Sequence, residues 1–363
     1  MQIEEIETPA LLIDLDILEK NIATMREKLS SKKCGYRPHV KAHKSAFVAH
    51  KQLANGAIGV TCQTIEEAEA MALSGVPDIL LTNMVVSRGK IKRVLNLLHH
   101  SKIMVTVDSL ENAKALASEA EKSHQVLDIV VEINVGQNRT GVAPGNAALD
   151  LVREVTGQRS LHFKGLMGYE GHLQCSIPDF EERKKKCGEA LSHLLLTKEL
   201  VEDEHIDVEI VTAGGTGTYN IASEITGITE IQPGSYVTMD HRYRMIDTCG
   251  KDFGCSMSVL ATVISRPTNN RAVIDLGWKS VGLEYQILGW EGMPVAKNLE
   301  GVSYSPGGDE HGILTLSGLS ENLRLGERVE FIPSHCDTTL NLHGSFYGVR
   351  RDDVEVICPT VRR

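Results

Sequence analysis

The segment RPHVKAHKS (37–45) sets His39, Lys41, His43 and Lys44 directly after a run that reads as a buried strand. An amine there is costly to bury unless it meets a carboxylate or does chemistry. Further on, AGGTGT (213–218) and PGSY (233–236) have the composition of turns whose backbone N–H groups receive phosphate. A lysine facing a phosphate cradle points to a phosphorylated aldehyde held as a Schiff base, and pyridoxal phosphate fits. Each feature alone has a plainer reading. Lys41 can pair with a buried carboxylate, AGGTGT can be an ordinary strand-to-helix turn, and Arg139, in GQNRTGV, can be a surface residue. Their combined placement favours the cofactor reading.

That placement rests on the elements. Eight short runs alternate with helical patterns over the first two-thirds of the chain: YRPHVKA (36–42), IGVTCQ (58–63), DILLTN (78–83), IMVTVD (103–108), DIVVEINV (128–135), FKGLMGYE (163–170), VEIVTAGG (208–215) and ITEIQPGSY (228–236). Such near-continuous apolar runs suit strands buried on both faces. Between them, Thr64 and Glu67 form a capping box for a helix that Gly75 stops, and Ile91, Val94, Leu95 and Leu98 keep helical spacing. Eight strand–helix units favour an α/β architecture with a (β/α)8 barrel; a doubly wound sheet is the competitor. Function in a barrel gathers at the C-terminal strand ends. Lys41 ends the first strand, Arg139 follows the fifth and Tyr169 ends the sixth, while the glycine turns follow the seventh and eighth.

From about Cys255 the texture changes. SVLATVISRP, RAVIDLG, ILTLS, ERVEFIPSH and DDVEVICPTV read as strands between Gly, Pro and Asn turns. The expected domains are a barrel over 10–254 and a β domain over 255–363 plus residues 1–9. TPALLIDL is expected to pair with the β domain before the helix DILEKNIATMREKLS. Within IPSHCDTTLNLH (332–343), His335 and Asp337 would share a face of an extended strand and could bind one divalent ion. A hydrogen-bonded pair is the plainer reading of a bare H-x-D.

Bulk properties narrow the class. The 363 residues carry a net charge of −10, against a general nucleic-acid binder. No apolar stretch is long enough for a bilayer. MQIEEIETPA lacks a signal-peptide pattern, so a cytoplasmic location is expected. The eight cysteines show no C-x-x-C pair, so mostly free thiols are expected.

TPALLIDLDILEKNI, RPHVKAHKS, TIEEAEAM, GLMGYEGHLQ and QPGSYVTMD resemble the family of D-threonine aldolases and eukaryotic-type D-serine dehydratases, pyridoxal phosphate enzymes of the alanine-racemase fold type. The resemblance covers essentially the whole chain. It implies that Lys41, not Lys44, carries the cofactor and that His39 and His43 flank the pocket. It also implies that Arg139 faces the cofactor's phenolic oxygen and that Tyr169 lies at its ring. Gly214, Gly215, Thr216, Gly234 and Ser235 hold the phosphate, with Tyr236 beside it. H-x-D becomes a metal motif, with manganese, magnesium, calcium or zinc as candidates. In this family H-x-D resembles the aldolases and H-x-C the dehydratases. The implied activity is cleavage of a small D-3-hydroxy amino acid, D-threonine-like, to glycine and an aldehyde. A dehydratase of D-serine or D-3-hydroxyaspartate type and a non-enzymatic pyridoxal phosphate carrier are the alternatives. A homodimer is expected, with no nucleic-acid or membrane partner. The aldolase pattern Y-H-G-x-x-Q-H appears here as YEGHLQC. Glu170 replaces one histidine and Cys175 the base, so His172 is expected to accept the proton.

Overall fold

The computed structural model describes residues 1–284 and 292–362. The chain groups into two compact units: Met25–Lys41 with Ala46–Gly234, and Met1–Thr24 with Ala42–Ser45 and Ser235–Arg363. This grouping differs from the expected ranges at residues 10–24, 42–45 and 235–254, which join the β-rich unit.

Strands are numbered along the chain, β1 (Ala10–Asp14) belonging to the β-rich unit. The other unit holds β2 (Gly35–Tyr36), β3 (Val60–Cys62), β4 (Asp78–Leu81), β5 (Lys102–Val107), β6 (Leu127–Glu132), β7 (Leu161–Met167), β8 (Ile210–Ala213) and β9 (Glu230–Ile231). All pair in parallel, in the order β2-β9-β8-β7-β6-β5-β4-β3. A parallel bridge between His39 and Thr61 joins the two ends of that order. Each expected strand overlaps an observed one, though YRPHVKA (36–42) does so only at Tyr36, and the expected barrel forms. Leu80, Met104, Val130 and Met167, from four consecutive strands, pack in one buried cluster. Gly165 allows β7 to approach β8, since a Cβ there would lie 1.8 Å from the Ile210 carbonyl oxygen.

Local chemistry sets the helices. Thr64 caps Ile65–Leu73 with Glu67 completing the box, and Gly75 leaves the helix at φ +83°. In the helix Arg88–Leu97 the buried side chains are Ile91, Val94, Leu95 and Leu97. Leu98, expected on that face, is instead the half-buried C-cap. Among the described residues no helix is long and apolar enough to cross a membrane.

The β-rich unit contains β10 (Met257–Thr268), β11 (Arg271–Ile274), β12 (Val295–Ala296), β13 (Val302–Pro306), β14 (Gly312–Leu316), β15 (Arg328–Ile332), β16 (Ser345–Arg350) and β17 (Asp353–Pro359). One path runs β13-β14-β11-β10-β1-β16-β17, and β15 pairs with β10 and β12. β1 lies antiparallel to β10 and parallel to β16, so TPALLIDL does join the β domain. Ile6, Ala10, Leu12, Leu260 and Val349 form a buried cluster there.

The strand that leads to Lys41 is shorter than its sequence suggests. Pro38 has no N–H to donate, and β2 ends at Tyr36. Side chains hold the backbone beyond it. Arg37, 3 % exposed, donates to both carboxylate oxygens of Glu230 at 3.0 and 3.3 Å and also pairs with Asp78. The guanidinium thus joins the residue after β2 to the first residues of β9 and β4. Removing one member of a buried ion pair leaves uncompensated charge. Arg37→Ala is therefore expected to lose about 3–5 kcal/mol of unfolding free energy in urea titration. A loss under about 1 kcal/mol, the scale of an exposed pair, would contradict this role.

Candidate active site

Lys41 does not end a strand. It sits in a single 3-10 turn, Val40–Ala42, beyond β2, because Pro38 interrupts the ladder. The turn is tied down from both sides. The His39 N–H donates to the Pro233 carbonyl at 3.1 Å. The His39 ring accepts the Lys41 backbone N–H on Nδ1 at 3.4 Å, so its Nε2–H is the donor to Gln63 Oε1 at 3.3 Å. Lys44, with φ +46°, donates its amine to Asn341 Oδ1 at 2.6 Å. His43 is buried and accepts the Ser45 N–H on Nδ1 at 3.2 Å. Of the two lysines, Lys44 is committed to an amide, and Lys41 stands at the C-terminal face of the barrel.

Arg139 and Tyr169 come together there, with the guanidinium carbon 5.4 Å from the ring centroid. Behind Arg139 lies a residue that the sequence did not single out. Glu132, the last residue of β6, is 4 % exposed. Its Oε1 accepts from Thr140 at 3.0 Å, and its Oε2 has no hydrogen-bond partner among the described residues. Burial pushes this carboxyl up to about 7, with Thr140 and Arg139 pulling the other way and Asp108 adding to the rise. A carboxyl that exchanges its proton near neutral pH beside an arginine is a feature of functional sites.

The glycine turn after β8 bears on the loop after β7. Gly214 (φ +71°) donates its N–H to Glu170 Oε2 at 3.2 Å, Gly215 to Thr218 Oγ1 at 3.2 Å and Gly217 to Gln174 Oε1 at 3.0 Å. Thr216 is buried within the turn. Glu170 and Gln174 are four residues apart, so they share one face of the short helix Gly171–Gln174. His172 lies between them on the other side. Its Nε2 faces Gly136, where an added Cβ would sit 3.4 Å away. It lines a cleft of about 500 Å³ with Asn134, Pro144, Lys186 and His193. Burial lowers its pKa, and its Nδ1 has no hydrogen-bond partner among the described residues. Cys175, the C-cap of the same helix, is half-buried. The fold thus brings Glu170 and Gln174 onto the turn and turns His172 away from it. Gly234 ends the barrel unit.

In the other unit, Ser235 and Tyr236 open the 3-10 turn Ser235–Val237, and Tyr236 packs edge-on against Phe253 with centroids 5.5 Å apart. The H-x-D motif is not in a strand. Pro333 cannot donate to the ladder, so β15 stops at Ile332. His335 instead caps the helix Cys336–Leu342, whose first turn holds Asp337. The two side chains still interact. Burial lowers the imidazole's pKa, but Glu284, Asp337 and Asp240 outweigh it and hold the ring above the usual histidine value. Glu284 bonds His335 Nδ1 and accepts from Thr338 at 2.8 and 3.0 Å. Asp240, fully buried and raised in pKa by that burial, accepts the Cys336 N–H at 2.9 Å. Metal-bound histidines commonly have one ring nitrogen held by a carboxylate, and Glu284 stands in that relation to His335 Nδ1. With the Asp337 carboxylate, the donor set fits a divalent cation that retains other ligands. Among the described residues no group of three or more His, Cys, Asp or Glu side chains is placed to hold an ion.

Residues 13–242 match the family model described as alanine racemase, N-terminal domain, and residues 256–349 match that of a putative serine dehydratase domain. A 3-hydroxy-D-aspartate aldolase of Paracoccus denitrificans (strain Pd 1222) is 34 % identical over 100 % of this chain and 94 % of its own length. A D-threonine aldolase of Arthrobacter sp is 33 % identical over 97 % of this chain and 91 % of its own. The crystal structure of D-threonine aldolase from Filomicrobium marinum matches with a TM-score of 0.93 and 36 % identity, covering 98 % of this chain and 95 % of that one. A lysine turn and a glycine turn on one parallel barrel, with kinship over the full length, lead to one assignment: the chain belongs to the alanine racemase N-terminal domain family, here joined to a serine dehydratase-type C-terminal domain.

Proposed function

We propose that this protein is a pyridoxal phosphate-dependent lyase that cleaves a D-3-hydroxy amino acid to glycine and an aldehyde, aided by a divalent cation. The observation that carries the reading is Lys41 on its pinned turn, at the same end of one barrel as the glycine turn 214–218. The relatives named D-threonine aldolase and 3-hydroxy-D-aspartate aldolase support it over the whole chain.

When bound, pyridoxal phosphate supplies an aldehyde for an amine and a ring that takes up an electron pair left at Cα. Lys41 would hold that aldehyde, kept in position by His39. Thr216 with Gly234, Ser235 and Tyr236 would receive the phosphate, while the Gly214 and Gly215 N–H groups shape the turn through Glu170 and Thr218. Arg139 and Tyr169 would flank the ring, with Glu132 fixing the charge around Arg139. His335 and Asp337 would hold the cation, whose chemistry is to lower the pKa of a coordinated hydroxyl. Loss of the 3-hydroxyl proton lets the Cα–Cβ bond break, and the former Cβ leaves as the aldehyde carbon. A proton returned to Cα completes glycine.

Asp337 is also what sets cleavage ahead of dehydration in this reading. Incubation with D-threonine and D-3-hydroxyaspartate is expected to release glycine and an aldehyde, and exhaustive chelation or Asp337→Ala is expected to abolish it. Ammonia and a 2-keto acid as main products would establish the dehydratase reading, which the match to a putative serine dehydratase domain keeps in view. Full activity after chelation would remove the cation.

His172 is proposed as the proton acceptor. Burial keeps its imidazole in the neutral, proton-accepting form at neutral pH. Its place across the short helix from the glycine turn makes the test sharp. His172→Ala is expected to reduce kcat by about 10²–10⁴-fold, the usual cost of losing a general base, while Cys175→Ala changes it little. An unchanged kcat in His172→Ala would exclude His172, and a large loss in Cys175→Ala would move the role to the thiol.

A further inference from the structure

Glu170 stands where the family pattern has a histidine, and its surroundings give it work of its own. The side chain is fully buried. One carboxylate oxygen takes the Gly214 N–H at 3.2 Å and the other takes the Thr218 hydroxyl. That hydroxyl in turn accepts the Gly215 N–H at 3.2 Å. A single carboxylate therefore orders two backbone amides of the glycine turn, one directly and one through Thr218. One helical turn later, Gln174 Oε1 takes the Gly217 N–H at 3.0 Å. The fit is also steric. A Cβ at Gly215 would lie 2.2 Å from Gln174 Nε2, and one at Gly217 would lie 2.6 Å from Gln174 Cβ. The glycines are thus required by the closeness of the loop after β7. Burial raises the pKa of the Glu170 carboxyl, and the hydrogen bonds from Thr218 and Gly214 pull the other way by favouring the ionised form.

We infer that Glu170 and Gln174 are positioning residues that hold the glycine turn in its phosphate-receiving shape, so that cofactor affinity is set from the loop after β7. The inference rests on the proposed pyridoxal phosphate site. It separates Glu170 from proton transfer, because both carboxylate oxygens are occupied by the turn.

The test is the affinity of full-length apoprotein for pyridoxal phosphate, followed by absorbance, for wild type, Glu170→Ala, Glu170→Gln and Gln174→Ala. Loss of a buried acceptor is expected to weaken binding by about 10–100-fold in Glu170→Ala. Glu170→Gln should fall between it and wild type, since an amide oxygen can keep only one of the two hydrogen bonds. Gln174→Ala should also weaken binding. At saturating cofactor kcat should stay within a few-fold of wild type. Should Glu170→Ala fail to fold, the other two variants decide. Wild-type affinity in Glu170→Gln and Gln174→Ala would overturn the inference. So would unchanged affinity with kcat reduced more than about 10²-fold in Glu170→Gln, which would make Glu170 a proton-transfer group. If wild type itself binds no pyridoxal phosphate, the functional reading falls and takes this inference with it.

Discussion

The barrel depends on the buried pairing of Arg37 with Glu230 and Asp78. The strand that leads to the reactive lysine contributes only two residues to the ladder, and Pro38 then removes a donor. Backbone bonds from Arg37 to Ile231 and from His39 to Pro233 continue past the strand, and the Arg37 side chain adds to them. The guanidinium joins three strands through charge-assisted bonds, which are stronger than neutral ones. Burial costs the cation solvation, and the two carboxylates more than restore it, so its pKa lies above the usual arginine value. The Lys41 turn inherits this rigidity. It begins three residues after Arg37 and is pinned again by the His39 bonds to Pro233 and Gln63.

A similar economy recurs at the other loops. Irregular backbone is fixed by a buried carboxylate or amide that reaches it from a neighbouring segment. Glu170 and Gln174 do this for the glycine turn, and Asp240 does it for the start of the helix Cys336–Leu342. Such groups are expensive to bury without partners. The two carboxylates here accept on both oxygens, which lets a loop hold a geometry that no repeating ladder imposes. Glu132 differs from these carboxylates, with one oxygen lacking a hydrogen bond among the described residues.

Much of the scaffold was legible because it derives from local pattern. β-branched runs separated by capped helices announced all eight barrel strands, and the alternating runs after Cys255 announced β10, β11, β14, β15 and β17. Short β12 and β13, and β16 with its glycine, lacked that signal. The lysine, the glycine turns, Arg139 and Tyr169 were visible as residue types at strand ends. Their fixing partners were not, since Arg37–Glu230, Glu170–Thr218 and Glu284–His335 span long stretches of chain with no local periodicity. Two placements were misjudged for one reason. Pro38 and Pro333 each stop a ladder, so Lys41 lies on a 3-10 turn and His335 on a helix cap rather than on strands. A proline inside an apolar run was the available warning. The helical offset between Glu170 and Gln174 could have been read as a shared face; that His172 faces the Gly136 loop required the fold.

The account stands on Lys41 as the cofactor-bearing residue, and borohydride reduction of the purified protein with added pyridoxal phosphate tests it most directly. Peptide mapping is expected to find the reduced, acid-stable pyridoxyl label on Lys41 alone. A label on Lys44, whose amine the structure gives to Asn341, or no label at any lysine, would contradict it.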